Sequence, residues 1–261
     1  MVAWWWGGVI FLLGASVGSF LNVLVGRFGE KGKVDLSGRS YCDSCRRQLR
    51  WWENIPLISF LALRGRCFRC HSPIPREYFL VELVMGLVYL LAAHQFLSLD
   101  FQFLNLKLVL ELLIITFLAI VFLFDFHYQI IPDWAVFSLV ILACGYHYLN
   151  SSIFQLLKLV LTGLVAAGFF FFLYLVTRGR GMGFGDVKLA FFLGFFLGPA
   201  RTILALYWAF LTGAVVGVIL VLSRRYRWRQ PIAFGPFLVT GGLLSWWWGE
   251  MVINYLLGHY F

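Results

Sequence analysis

Apolar segments long enough to cross a bilayer recur along almost the whole of this chain, and that recurrence leaves few folds open to it. The hydrocarbon core is ~30 Å thick and offers no water to backbone N–H and C=O groups, so a crossing segment must pair those groups internally. Eight runs fit: 4–25, 79–96, 108–124, 134–148, 156–176, 187–197, 202–222 and 237–257, of which the sixth is the shortest. Composition agrees: 61% of the 261 residues are hydrophobic and 13% charged, where a soluble domain carries about 25% charged residues. The expected fold is an all-α polytopic membrane protein of about eight transmembrane helices.

Charge sets the expected orientation. No basic segment precedes the first apolar run, whereas Arg27, Lys31 and Lys33 follow it, the pattern of an uncleaved anchor with its N-terminus outward. Eight spans then place both termini outside and leave loops 27–76, 125–133, 177–186 and 223–236 in the cytosol. The first holds eleven Lys and Arg residues. Arg178, Arg180 and Lys188, with Arg224, Arg225, Arg227 and Arg229, bring the inner total to 18 of 21. Lys107, Lys158 and Arg201 fall outside. Topology and anionic lipid therefore account for the net charge of +9, and a nucleic-acid partner has no support.

Four of the five cysteines form Cys42-Asp-Ser-Cys45 and Cys67-Phe-Arg-Cys70 in the one long polar loop. Two C-x2-C turns can place four thiolates around one ion, which closes a small domain that lacks a core. Disulfides compete with this reading, but a reducing cytosol keeps paired thiols available for metal. A closed four-cysteine zinc site has no open position for water, so the expected metal is structural. Cys144, in an apolar span, reads as a small buried hydrophobe.

The chain has only 12 Asp and Glu residues, so their positions carry information. Asp125 ends the third span and Asp186 opens the sixth, both at the cytosolic end. Two carboxylates at one depth on different helices can share a proton and hold a water, as aspartic proteolysis requires, with no metal needed. N-capping explains Asp186 equally well, and also Asp133. Asp125 has no such account: a carboxylate at a helix C-terminus opposes the dipole and, near hydrocarbon, costs up to ~3 kcal/mol. Gly183 and Gly185 fit a segment with positive φ or close approach to another chain. Glu111 reads as a snorkelling or protonated side chain, whereas Glu82, directly after the cysteine loop, is a candidate functional group.

These residues resemble the type IV prepilin peptidase family, leader peptidases and N-methyltransferases that share a GxGD signature with other intramembrane aspartic proteases. The resemblance rests on Gly18-Ser19-Phe20-Leu21-Asn22-Val23, both C-x2-C pairs, Trp52-Glu53-Asn54-Ile55-Pro56, Asp125 with Ile131-Pro132-Asp133, Gly183-Phe184-Gly185-Asp186 and Phe234-Gly235-Pro236-Phe237. Glu77, Phe79 and His127 depart from it. It implies that Asp125 and Asp186 are the catalytic pair, with Gly183 and Gly185 supporting their loop, and that Cys42, Cys45, Cys67 and Cys70 hold zinc. The implied substrates are prepilins or pseudopilins, cut before their hydrophobic segment in the inner membrane. Methylation of the new N-terminus from S-adenosylmethionine is implied as well, with no binding residues indicated. The expected organisation is a first helix at 1–26, a cytosolic zinc-ribbon-like domain at 27–76, and a seven-helix membrane domain with the protease site at 77–261. A peptidase without methyltransferase activity, and a scaffold docking partners through its zinc module, are the competing readings.

Overall fold

A computed structural model describes residues 2–28, 38–97, 106–148, 153–179, 181–223 and 232–257. Lys31, Lys33, Arg180 and the cluster Arg224, Arg225, Arg227 and Arg229, which carry part of the charge asymmetry, lie outside the described residues. The helices are α1 (Val2–Gly26), α2 (Ile58–Ala62), α3 (Arg76–Leu97), α4 (Leu106–Tyr128), α5 (Asp133–Tyr148), α6 (Ile153–Thr177), α7 (Phe184–Leu197), α8 (Pro199–Leu222) and α9 (Gly235–Leu257). A 3-10 turn spans Trp51–Asn54. Each of the eight expected spans falls inside one of these helices, and α2 is additional.

Five of them, α1, α3, α4, α6 and α8, are long and apolar enough to cross a membrane unaided. The other three fall short for different reasons. Helices α5 and α7, with 16 and 14 residues, reach only ~24 and ~21 Å at the α-helical rise, against ~30 Å of hydrocarbon. Helix α9 has the length, but Gly241, Gly242, Ser245 and Gly249 dilute its apolar character. The chain is an all-α polytopic membrane protein built as two compact units that divide within α4, residues 1–115 and 116–261.

In the first unit, α1 packs closely on α3 through small residues one turn apart. A methyl group at Gly14 would lie 2.6 Å from the Met85 carbonyl oxygen, and one at Gly18 would lie 2.9 Å from the Glu82 Cα. Small residues at this four-residue spacing let two apolar helices gain van der Waals contact where lipid supplies no hydrophobic drive. One turn further, Asn22 donates its Nδ2 hydrogen to the Tyr78 carbonyl at 3.1 Å. Glu111 is only 4% exposed, so snorkelling does not account for it.

The second unit is organised around α7. Ten of its fourteen residues are buried, with α5, α6, α8 and α9 packed against it. A helix that is apolar on every side must be surrounded, and one surrounded by other helices has no need to match the bilayer by itself. That explains why the shortest span is also the most buried. Its Phe192 and Phe196 rings stack at 5.5 Å, and Trp246 of α9 meets Phe196 edge-on at 4.7 Å. Gly198, at φ +75°, turns the chain directly into α8, whose first residue is Pro199. Helix α5 buries Ala135, Val136, Leu139, Ala143 and His147. That stripe turns Cys144 outward, so the expectation of a buried thiol is incorrect.

Candidate active site and metal centre

The cysteine loop folds as two copies of one turn. Tyr41 bridges Gln48 around the first C-x2-C, and Arg66 bridges Pro73 around the second. The Cys42 and Cys67 N–H groups donate to the Arg47 and Ser72 carbonyls, both at 2.9 Å. The residue after each second cysteine takes a left-handed conformation, Arg46 at φ +54° and His71 at φ +55°. Glycine suits that position better, because a Cβ there costs about 1–2 kcal/mol. Paying this strain twice brings the four sulfurs within 4.8 Å of one another. The Cys42 and Cys70 sulfurs are 3.8 Å apart, and a tetrahedral ion with ~2.3 Å bonds to sulfur would separate its ligands by about 3.8 Å. The cluster can therefore hold a metal ion, and the donor set fits zinc.

Among these thiols, Cys42 is held down to about 6, chiefly by the backbone N–H of Cys45. Cys45 is pushed up to about 11, where the Arg47 backbone hydrogen bond is outweighed by burial and the neighbouring sulfurs. The rest of the loop is tied down by carboxylates. Glu53 pairs with Arg47 and accepts the Arg50 N–H at 2.7 Å. Glu82, on α3, accepts the N–H of Leu57 at 2.7 Å. Leu57 itself takes a positive φ of +62°.

In the second unit the structure brings Asp125 and Asp186 together. Asp125 lies in the last turn of α4 and Asp186 in the first turn of α7, each 6% exposed. They are near enough for their charges to repel. Oδ2 of Asp125 accepts the N–H of Gly235, at the start of α9, at 2.8 Å. Oδ2 of Asp186 accepts the N–H of Gly183 at 3.0 Å. Each carboxylate thus has one oxygen anchored by a backbone donor. The second oxygen of each has no hydrogen-bond partner among the described residues.

The glycines act differently from expectation. Neither Gly183 nor Gly185 has positive φ: Gly183 is extended at φ −80° and Gly185 lies within α7. Close approach is the operative constraint, because a methyl group on Gly185 would lie 2.8 Å from the Cβ of Ile131. Ile131 follows Asp125 by six residues, so this contact sets the α4–α5 loop against the start of α7. Gly235 is a site residue that reading the chain as separate motifs missed. A methyl group there would lie 2.6 Å from Oδ2 of Asp125, and the available signal was Gly-Pro opening the last apolar run. Asp133 opens α5 and pairs with Lys188, whose ammonium also lies 5.0 Å from the Phe184 ring centre.

Two family descriptions match the chain, the Bacterial Peptidase A24 N-terminal domain over residues 12–96 and the Type IV leader peptidase family over residues 112–218. Three curated relatives share the name prepilin leader peptidase/N-methyltransferase. The one from Legionella pneumophila is 31% identical over 98% of this chain and 96% of its own length. Those from Pseudomonas aeruginosa and Bacillus subtilis are each 32% identical, over 92% and 95% of this chain and 90% and 97% of theirs. No solved structure matches significantly. With the two matched segments flanking the start of α4, and identity above 30% sustained over nearly the full length of whole relatives, the chain belongs to the type IV leader peptidase family as a membrane enzyme.

Proposed function

We propose that this protein removes the leader peptide from type IV prepilins or pseudopilins by aspartic proteolysis, at the cytosolic face of the inner membrane, and then methylates the new N-terminus from S-adenosylmethionine. The observation that carries the proteolytic half is the pair of buried carboxylates on different helices, each fixed through one oxygen by a backbone N–H. With Gly235 and Gly183 holding the Oδ2 atoms, the Oδ1 atoms are left for a water and a shared proton. One carboxylate takes a proton from the water, whose oxygen attacks the scissile carbonyl carbon. The other gives its proton to the departing amine. The cytosolic placement is supported by the excess of Lys and Arg in the loops that flank these helix ends.

Zinc in the four-cysteine cluster would hold the turns of residues 40–74 together and leave proteolysis to the carboxylates. Capping explains one oxygen of Asp186 but nothing about Asp125, which sits at the other end of its helix. The test is mass spectrometry of a prepilin peptide incubated with the purified protein in lipid, with and without S-adenosylmethionine. Cleavage in both conditions and one added methyl only with the donor are expected. Intact peptide throughout, from folded, metal-loaded protein, would refute the proposal.

Gly235→Ala gives a second, geometric check. The added methyl must displace Asp125 or the start of α9 by several tenths of an ångström. Misplacing a catalytic group by ~1 Å can cost ~100-fold in rate. Steady-state kinetics should show kcat falling with KM little changed, whereas an unaffected kcat would mean that the Asp125–Gly235 bond does not position the carboxylate.

A further inference from the structure

A cavity of about 230 Å³ in the first unit opens between the cytosolic ends of α1 and α3 and the cysteine loop. Its lining comes entirely from residues 19–82, and the proteolytic step proposed for Asp125 and Asp186 makes no use of them. Its apolar wall includes Phe60 and Phe79, whose rings stack at 5.1 Å. Its polar wall is rich in acceptors: Ser19 and Asn22 on α1, and Glu82 on α3. The Nδ2 of Asn22 is committed to the Tyr78 carbonyl, which leaves its carbonyl oxygen as the available atom.

Three carboxylates line this space, and they differ in what they have left to offer. Asp43 is exposed on the first cysteine turn. Glu53 has both oxygens engaged, one by Arg47 and one by the Arg50 N–H. Glu82 is 9% exposed and commits only Oε2, to the Leu57 N–H. Its Oε1 has no partner among the described residues. The other ionisable groups on the cavity wall are Arg27, Tyr41, Tyr78, Cys42 and Cys67. A buried carboxylate with an idle oxygen is costly unless something cationic meets it. A ring of acceptors beside an aromatic wall suits a small ammonium group.

We infer that Glu82 binds the terminal ammonium of the processed substrate in this cavity and takes one of its protons before methyl transfer. The inference rests on the methylation half of the proposed function. Transfer to Oε1 frees the nitrogen lone pair, and the amine then attacks the methyl carbon of the methylsulfonium donor. The C–S bond breaks with its electron pair going to sulfur. A thioether and an N-methylammonium group result, and Glu82 returns its proton to water. Asn22 and Ser19 supply further acceptors that orient the nitrogen.

The deciding variant is Glu82→Gln, because a glutamine oxygen still accepts the Leu57 N–H and keeps the loop anchored, yet takes up no proton. Methylation of a pre-cut peptide is expected to drop by at least ~100-fold, the scale of a lost general base, with leader cleavage and bound metal unchanged. A second readout needs no methyl donor. A synthetic peptide beginning at the cut site should bind wild type more tightly than its N-acetylated twin, and Glu82→Gln should erase that preference. Wild-type methylation rates in the variant, or joint loss of cleavage and metal, would overturn the inference and leave Glu82 as a loop anchor. Wild type that cleaves but transfers no methyl would instead remove the methylation reading itself, and this inference with it.

Discussion

Asp125→Asn and Asp186→Asn should each lower kcat/KM for leader cleavage by at least ~10²–10⁴-fold, the usual contribution of a positioned acid or base. On the proposed mechanism the double variant should be scarcely worse than either single one, because the two groups would act on one water and one proton. Asparagine is nearly isosteric and still offers a carbonyl oxygen to the N–H groups of Gly235 and Gly183, so the anchors at 2.8 and 3.0 Å survive. Melting temperature and metal content should therefore stay at wild-type values while cleavage disappears. The prediction separates catalysis from anchoring, since the asparagine carbonyl oxygen still accepts the N–H of Gly183, the N-cap residue of α7, from the N3 position. A fully active Asp186→Asn enzyme would return that residue to its structural role and remove the pair. Methylation of a pre-cut peptide should persist in both variants, because the aspartates lie in the second unit and the Glu82 cavity in the first.

Why the aspartate pair was only half legible in the sequence follows from the kind of constraint involved. Membrane depth is a local property: the apolar runs set which residues fall at which interface, and the ends of α4 and α7 lie within four residues of the spans read from hydrophobicity. Which helices are neighbours at that depth is a tertiary property. The contacts that bring Asp125 to Asp186 are made by groups with no sequence pattern of their own. They are a backbone N–H at Gly235, and the missing side chain of Gly185, into whose place Ile131 packs. Gly183 and Gly185 stood out because of their composition, but neither has positive φ, and the close approach found at Gly185 is to Ile131 of the same chain and not to another chain. In the cysteine loop the spacing of the four thiols announced the site, whereas the positive φ angles at Arg46, Leu57 and His71 gave no warning, since none of the three is glycine. Cys144 shows the same limit: average hydrophobicity does not say which face of a 16-residue helix turns inward.

Cys67→Ser should release the bound metal completely and unfold the cysteine loop. Between Val25 and Met85, Cys67 is the one buried apolar side chain among the described residues. A module without a core cannot hold its fold by hydrophobic burial, and structural zinc in comparable modules contributes about 10–16 kcal/mol. Metal analysis should fall from one zinc per chain to none, and limited proteolysis should cut the variant within residues 38–75. Methylation should be lost with it, since the loop forms one side of the Glu82 cavity, while cleavage by the aspartates falls much less. Acid should imitate the mutation. Zinc needs all four thiolates and protons compete for each of them, so the metal should leave as pH falls. The rival explanation, paired disulfides, makes the opposite forecast for two reagents. A chelator should open the loop and a thiol reductant leave it closed if the cluster holds zinc, because the thiolates are already reduced. If the cysteines are joined to each other, the reductant opens the loop and the chelator does nothing.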